Sequence, residues 1–194
     1  MNKNYLIFDF QSSTPCSSKV VEEMGPYWNE LWGNPSNTNN RSGIFASAAV
    51  EVSREKIASC LNINPKRLIF TSGATEANNL ALIGHARAHA KSTGKPGHII
   101  TVSTEHHAVL DPLRKLQKEG FRLTELQPNK EGLINIDQLE EAFEKDTFLT
   151  SVMAANNEIG VLQPISEIGY FCKSKGIAFH TDAAQAFGYV DLDP

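Results

Sequence analysis

Between residues 68 and 179 short apolar runs alternate with longer stretches of helical spacing, and this alternation constrains the fold more than any other feature of the chain. Parallel strands must be joined by crossovers of a dozen or more residues, and helices supply them. The apolar runs fall at 68–70, 98–102, 121–126, 148–153 and 177–179. Between them, a period near 3.6 predicts helices over 76–90, 108–119, 137–145 and 165–174. The third is read as capped by Asp137, with Leu139 and Phe143 on one face. The expected class is α/β, a mostly parallel sheet with helices on both faces.

Residues 1–60 have a different texture. An apolar run over 5–10 predicts a strand, GNPSNTNNRSG at 33–43 a loop, and the spacing of Ala49, Val52, Ile57 and Leu61 a helix over 46–61. The expected organisation is an N-terminal arm with a linking helix over 1–60, followed by an α/β domain over 61–194.

Charge and cysteine usage narrow the partners. Eighteen Lys and Arg against 22 Asp and Glu leave a net charge of −4, and the basic residues form no stripe, so neither nucleic acid nor a membrane surface is expected as a partner. No run approaches the ~20 apolar residues of a membrane span. The run at 5–10 contains Asp9 and reads as a strand rather than a signal peptide. Cys16, Cys60 and Cys172 make no CxxC pair, which suits a reducing, cytoplasmic setting. His85 and His89 stand at i and i+4 without a third ligand at zinc spacing; they are expected to face solvent, and no metal is expected.

In open α/β sheets ligands bind beyond the carboxyl ends of the strands. There the chain places Thr71-Ser72-Gly73-Ala74-Thr75-Glu76, Ser103-Thr104-Glu105-His106-His107, Ala154-Ala155-Asn156-Asn157-Glu158 and His180-Thr181-Asp182-Ala183-Ala184-Gln185. The small residues at 72–75 suit either an anion cradle at a helix N-terminus or an ordinary N-cap made by Thr75 or Ser72. A carboxylate such as Asp182 at the mouth of a sheet needs a donor or cation; a protonated pyridine nitrogen and the N–H groups of a following helix both qualify. His106 can stack on a heteroaromatic ring and move protons near neutral pH, or be structural. GxxxxGK[ST] is absent and no GxGxxG opens a helix, which removes the common nucleotide readings.

TSGATEANNLAL (71–82), TEHHAVLDPL (104–113), NNEIGVLQPI (156–165) and HTDAAQAFG (180–188), with GNPS at 33–36, resemble cysteine desulfurases. These are class V pyridoxal-phosphate enzymes of the aspartate-aminotransferase fold (fold type I). The resemblance implies a pyridoxal 5'-phosphate cofactor whose phosphate is held by Ala74 and Thr75. It implies that His106 stacks on the pyridine ring and acts as acid/base, and that Asn157 bonds the ring hydroxyl and the substrate carboxylate. Asp182 would pair with the pyridinium nitrogen and Gln185 would bond the ring hydroxyl. The implied reaction converts L-cysteine to L-alanine and leaves a persulfide on an enzyme cysteine, supplying sulfur to an acceptor protein for iron–sulfur cluster or thio-cofactor assembly. The complete enzyme is expected to be a homodimer.

Two departures accompany these matches. The family's cofactor-binding lysine follows the Asp-x-x-Gln stretch, and no lysine follows Gln185 here. The family's persulfide cysteine has no counterpart motif around Cys16, Cys60 or Cys172. The 61–194 region is therefore expected to be an incomplete, truncated pyridoxal-phosphate domain, inactive and poorly soluble alone. The alternatives are a non-catalytic cofactor-binding remnant or another class V enzyme, such as a selenocysteine lyase. Asn40 stands where the family has a histidine after the GNPS loop.

Overall fold

Five consecutive residues, His98-Ile99-Ile100-Thr101-Val102, are buried on both faces, and they form an interior strand of a parallel sheet. The computed structural model describes residue 6, residues 8–190 and residue 192. The chain divides into two compact units, one ending at Phe70 and the other starting at Thr71.

The first unit contains helices α1 (Ser18–Met24) and α2 (Arg41–Cys60), with 3-10 turns at Gly25–Trp28 and Pro65–Arg67. Asn40 caps α2, its side chain accepting the Gly43 N–H at 2.7 Å. Gly43 packs against the backbone of the 34–37 loop so closely that a Cβ there would lie 1.8 Å from the Asn37 carbonyl oxygen. Arg54 donates to the Leu68 carbonyl at 2.6 Å and lies 4.8 Å over the Phe70 ring.

Residues 68–70, expected to be a buried strand, are irregular, and Ile69 is 68% exposed. A strand needs a neighbour for its backbone groups, and none of the described strands pairs with this segment. The strand expected over 5–10 lies partly outside the described residues; Leu6 and residues 8–10 are not in a strand. The helix expected at 46–61 starts earlier, at Arg41. Helix α1 fell in a region read as loops.

The second unit carries strands β1 (His98–Val102), β2 (Arg122–Leu126), β3 (Thr147–Ser151) and β4 (Ala178–His180) in the order β2-β1-β3-β4, all parallel. Helices α3 (Ala74–Thr93), α4 (His107–Lys118), α5 (Ile136–Ala142) and α6 (Ile165–Lys175) supply the cover. Side-chain alternation along β1 divides the core in two. Ile99 packs with Leu82 and Ala86 of α3 and with Val109, Leu113 and Leu116 of α4. Ile100 and Val102 pack with Leu139 of α5 and with Ile168, Phe171 and Cys172 of α6. Each fully buried Leu or Ile contributes about 1.5–3 kcal/mol, so the two faces together hold the sheet between its layers of helices. Burial also pushes the Cys172 thiol above its ordinary range, which makes it inert.

Two local expectations need correction. Asn135, not Asp137, caps α5: its side chain accepts the Gln138 N–H at 2.9 Å while Gln138 reaches back to the Asn135 N–H at 3.1 Å. This reciprocal pair satisfies two orphan donors at once, which Asp137 inside the first turn could not do. His89 does not face solvent freely but stacks on Phe148, with centroids 4.0 Å apart. At the amino end of the strands, buried His98 bonds Thr147 Oγ1 at 2.8 Å and Thr124 Oγ1 at 2.9 Å, stitching β3, β1 and β2 together. Desolvation lowers its pKa and keeps it neutral.

Candidate functional site

The pairing of β3 with β4 continues past the strand ends: the Val152 N–H donates to the His180 carbonyl and the Ala154 N–H to that of Asp182. Asp182 is thereby held at the carboxyl mouth of the sheet, 8% exposed. Its Oδ1 accepts the Ala184 N–H at 2.9 Å and its Oδ2 accepts Asn78 Nδ2 at 2.8 Å. Of the two roles open to Asp182, the capping role exists, though over a turn rather than a helix. It leaves the carboxylate with lone pairs for another donor. The neighbouring Thr181 Oγ1 is buried without a hydrogen-bond partner. Preceding it, His180 bonds Ser151 Oγ through Nδ1 at 2.8 Å; burial drives its pKa down to about 4 against the pull of Asp182.

Asn78 lies one turn into α3, and the start of that helix is uncapped by any side chain. The N-cap is Gly73, not Ser72 or Thr75, at φ 157° and ψ −179°, a backbone conformation accessible almost only to glycine. Glu76 turns back onto the Ser72 N–H at 2.6 Å and Oγ at 2.7 Å, and those two bonds lower its pKa. The first-turn N–H groups, at exposed Ala74 and Thr75, are left for whatever approaches the helix end. They suit a phosphate.

His106 is the N-cap of α4, its Nδ1 accepting the Ala108 N–H at 3.0 Å. In the neutral ring the proton therefore sits on Nε2. Thr75 and His106 share one cleft of about 460 Å³ with Asn79, Pro112 and Lys115. His107 diverges from its neighbour and stands 3.9 Å from Asp111.

Asn156, rather than Asn157, builds the third corner. Its Oδ1 accepts the N–H groups of Glu158 and Ile159, and its Nδ2 donates to the Thr104 carbonyl at 2.9 Å. The turn is backed by buried Gln163, which accepts the Ile134 N–H and donates to the Gly132 carbonyl. Asn157 is presented half-buried beside it, and Gln185 lies exposed beyond Asp182. The structure thus gathers Thr75 and His106 around one cleft and ties Asp182 to the helix that carries Ala74 and Thr75; neither Asn157 nor Gln185 lines that cleft.

Three residues at this mouth carry weight that sequence reasoning did not assign: Asn78, Asn156 and Glu105. Asn78 had a signal, since it lies on the helical stripe of Leu82 and Ala86, all three buried. Glu105 is 6% exposed; its Oε1 accepts the Met153 N–H, while Oε2 is buried without a partner. Desolvation pushes its carboxyl up to about 8 against the Met153 N–H, which favours the charged form, and the charge of Asp182 adds a smaller push upward.

Uncapped helix start, buried carboxylate and strand-end histidine stand along the carboxyl edge of a parallel α/β sheet, where such sheets take their ligands. The aminotransferase class-V family profile matches residues 6–194. The chain belongs to that family. It is 47% identical over 188 residues to cysteine desulfurase IscS of Dechloromonas aromatica, covering 97% of this chain and 46% of that protein. It is 49% identical to a mitochondrial cysteine desulfurase of Candida maltosa, covering 97% of this chain and 38% of that one. The chain thus spans less than half the length of these curated relatives. Among solved structures, SspA in complex with cysteine superposes with a TM-score of 0.90 at 41% identity, covering 96% of this chain and 52% of that one. A NifS-like protein gives 0.90 at 36% identity, covering 96% and 50%.

Proposed function

We propose that this chain forms the cofactor-facing part of a pyridoxal-phosphate-dependent cysteine desulfurase acting on L-cysteine. The observation that carries the reading is Asp182, a buried carboxylate fixed by Asn78 and the Ala184 N–H at the mouth of the sheet, with orphaned Thr181 Oγ1 beside it. A protonated pyridine nitrogen is the partner such a carboxylate suits, and the open start of α3 suits the phosphate of the same molecule. When bound, pyridoxal phosphate supplies an electron sink for chemistry at the carbon bearing the amino group.

The chain's own residues take the remaining parts. Ala74 and Thr75 hold the phosphate through backbone N–H groups and the Thr75 hydroxyl. His106 would stack on the ring, with Nδ1 occupied by the Ala108 N–H and Nε2 left for proton transfer. Asn157 serves the ring hydroxyl and the substrate carboxylate, and Gln185 the ring hydroxyl. Residues 1–60 act as arm and linking helix and 61–194 as the cofactor domain. The working enzyme is a cytoplasmic homodimer that hands sulfur, by way of a cysteine persulfide, to an acceptor protein. No helix among the described residues is long and apolar enough to cross a membrane.

The test is a fluorescence titration of the chain with pyridoxal phosphate, repeated with Asp182→Ala. Saturable binding that weakens at least tenfold in the variant supports the reading; equal binding by both removes it. Complementing the chain with a polypeptide bearing the lysine and persulfide cysteine should then yield alanine and an enzyme persulfide from L-cysteine, and an added dithiol should reduce that persulfide, releasing sulfide as the dithiol is oxidised to its disulfide.

A further inference from the structure

At the end of β3 successive N–H groups point to opposite neighbours. The Ala154 N–H donates to the Asp182 carbonyl on the β4 side, while the Met153 N–H donates to the Glu105 side chain on the β1 side. Strand β1 has already ended at Val102, so a Glu105 oxygen stands in for the missing ladder carbonyl. Any acceptor could fill that place. A carboxyl brings a second oxygen, and here Oε2 is buried with no partner, in a turn fastened by the Glu105 N–H to the Val102 carbonyl and by Asn156 Nδ2 to the Thr104 carbonyl. An ionised oxygen left so would cost several kcal/mol; a proton on Oε2 removes the charge. Asp182 is the charged group that acts on it, and it acts in the same direction as burial.

We propose that Glu105 is a positioning residue: a neutral acid that joins the ends of β1 and β3 and leaves Asp182 to supply the carboxylate that faces the cofactor ring. This rests on the pyridoxal-phosphate reading above. It also orients His106, the next residue in the chain, by fixing the turn from which α4 starts.

Two measurements test it. The first is infrared difference spectroscopy on the chain without cofactor, wild type against E105Q, from pH 6 to 9. A protonated-carboxyl band present at pH 7, absent in E105Q, and titrating near pH 8 is expected; in D182N its midpoint should fall. The second is pyridoxal phosphate affinity at pH 7. E105A and E105D, which cannot reach the Met153 N–H, should bind about tenfold more weakly, whereas E105Q restores affinity to within about twofold of wild type. Absence of the band at pH 7, a midpoint unmoved by D182N, or E105Q binding as weakly as E105A each overturns the proposal. Wild-type chain that takes up no cofactor overturns the cofactor reading instead, and the band still decides the state of Glu105.

Discussion

Asn78 Nδ2 donates to Asp182 Oδ2 at 2.8 Å, joining helix α3 to the end of β4 across 104 residues of chain. The bond is buried at both ends, and it sets the position of a carboxylate relative to the helix start one turn away. Replacing Asn78 with Leu keeps the volume and removes the donor. Asp182 then loses the Asn78 donor and keeps the Ala184 N–H, and folding stability should fall by about 1–3 kcal/mol, measured by urea denaturation. Pyridoxal phosphate affinity should fall with it, by roughly tenfold.

Gly73→Ala places a side chain where φ is 157°, though nothing lies within 4 Å of the added Cβ. Strain rather than a clash therefore sets the effect, about 1–3 kcal/mol of stability. Affinity for pyridoxal phosphate should drop while affinity for phosphate-free pyridoxal stays unchanged. An equal drop for both ligands would argue against an anion cradle at α3.

Stability should peak near pH 6.5. The Glu105 carboxyl, raised from 4.5 to about 8, contributes stability that is complete below 4.5 and is lost as pH rises toward 8. His180, lowered from 6.5 to about 4, contributes stability that is complete above 6.5 and is lost as pH falls toward 4. The two slopes offset one another between 4.5 and 6.5, and His98, lowered by burial, adds a loss on the acid side. Above 6.5 Glu105 acts alone, with a loss of about 2 kcal/mol by pH 8. Thermal melts across this range should show the alkaline decline in wild type and not in E105Q.

His98→Leu should destabilise the sheet without touching the site. The imidazole joins Thr147 and Thr124 at the amino ends of the strands, and leucine leaves both hydroxyls without that partner. A loss of about 2–4 kcal/mol is expected. At temperatures where the variant is folded, its pyridoxal phosphate affinity should match wild type.

The first unit leaves Phe8, Trp28, Trp32 and Ile69 at least two-thirds exposed. Apolar surface of this kind favours association. Light scattering should show the chain self-associating as concentration rises, and Trp28→Ser with Trp32→Ser should reduce it.

Much of the second unit was legible in residue order because its determinants are local. Strand β1 follows from the β-branched run Ile99 to Val102, α3 and α4 from their spacing, and the candidate edge from polar residues placed just past apolar ones. The segment 68–70 looked equally apolar, yet a strand exists only with a neighbour to pair its backbone, which no local pattern contains. Asn135 won the α5 cap from Asp137 because a capping box depends on which side chain sits three residues before a glutamine that can reach back. The roles proposed for Ala74, Thr75, His106, Asn157, Asp182 and Gln185 rest on motif resemblance. Only the folded chain revealed that Asn78 holds Asp182 and that Glu105 stands in for a strand. Hydrogen bonds between residues dozens of positions apart, and the desolvation that decides a carboxyl's charge, exist only once the sheet has brought those residues together.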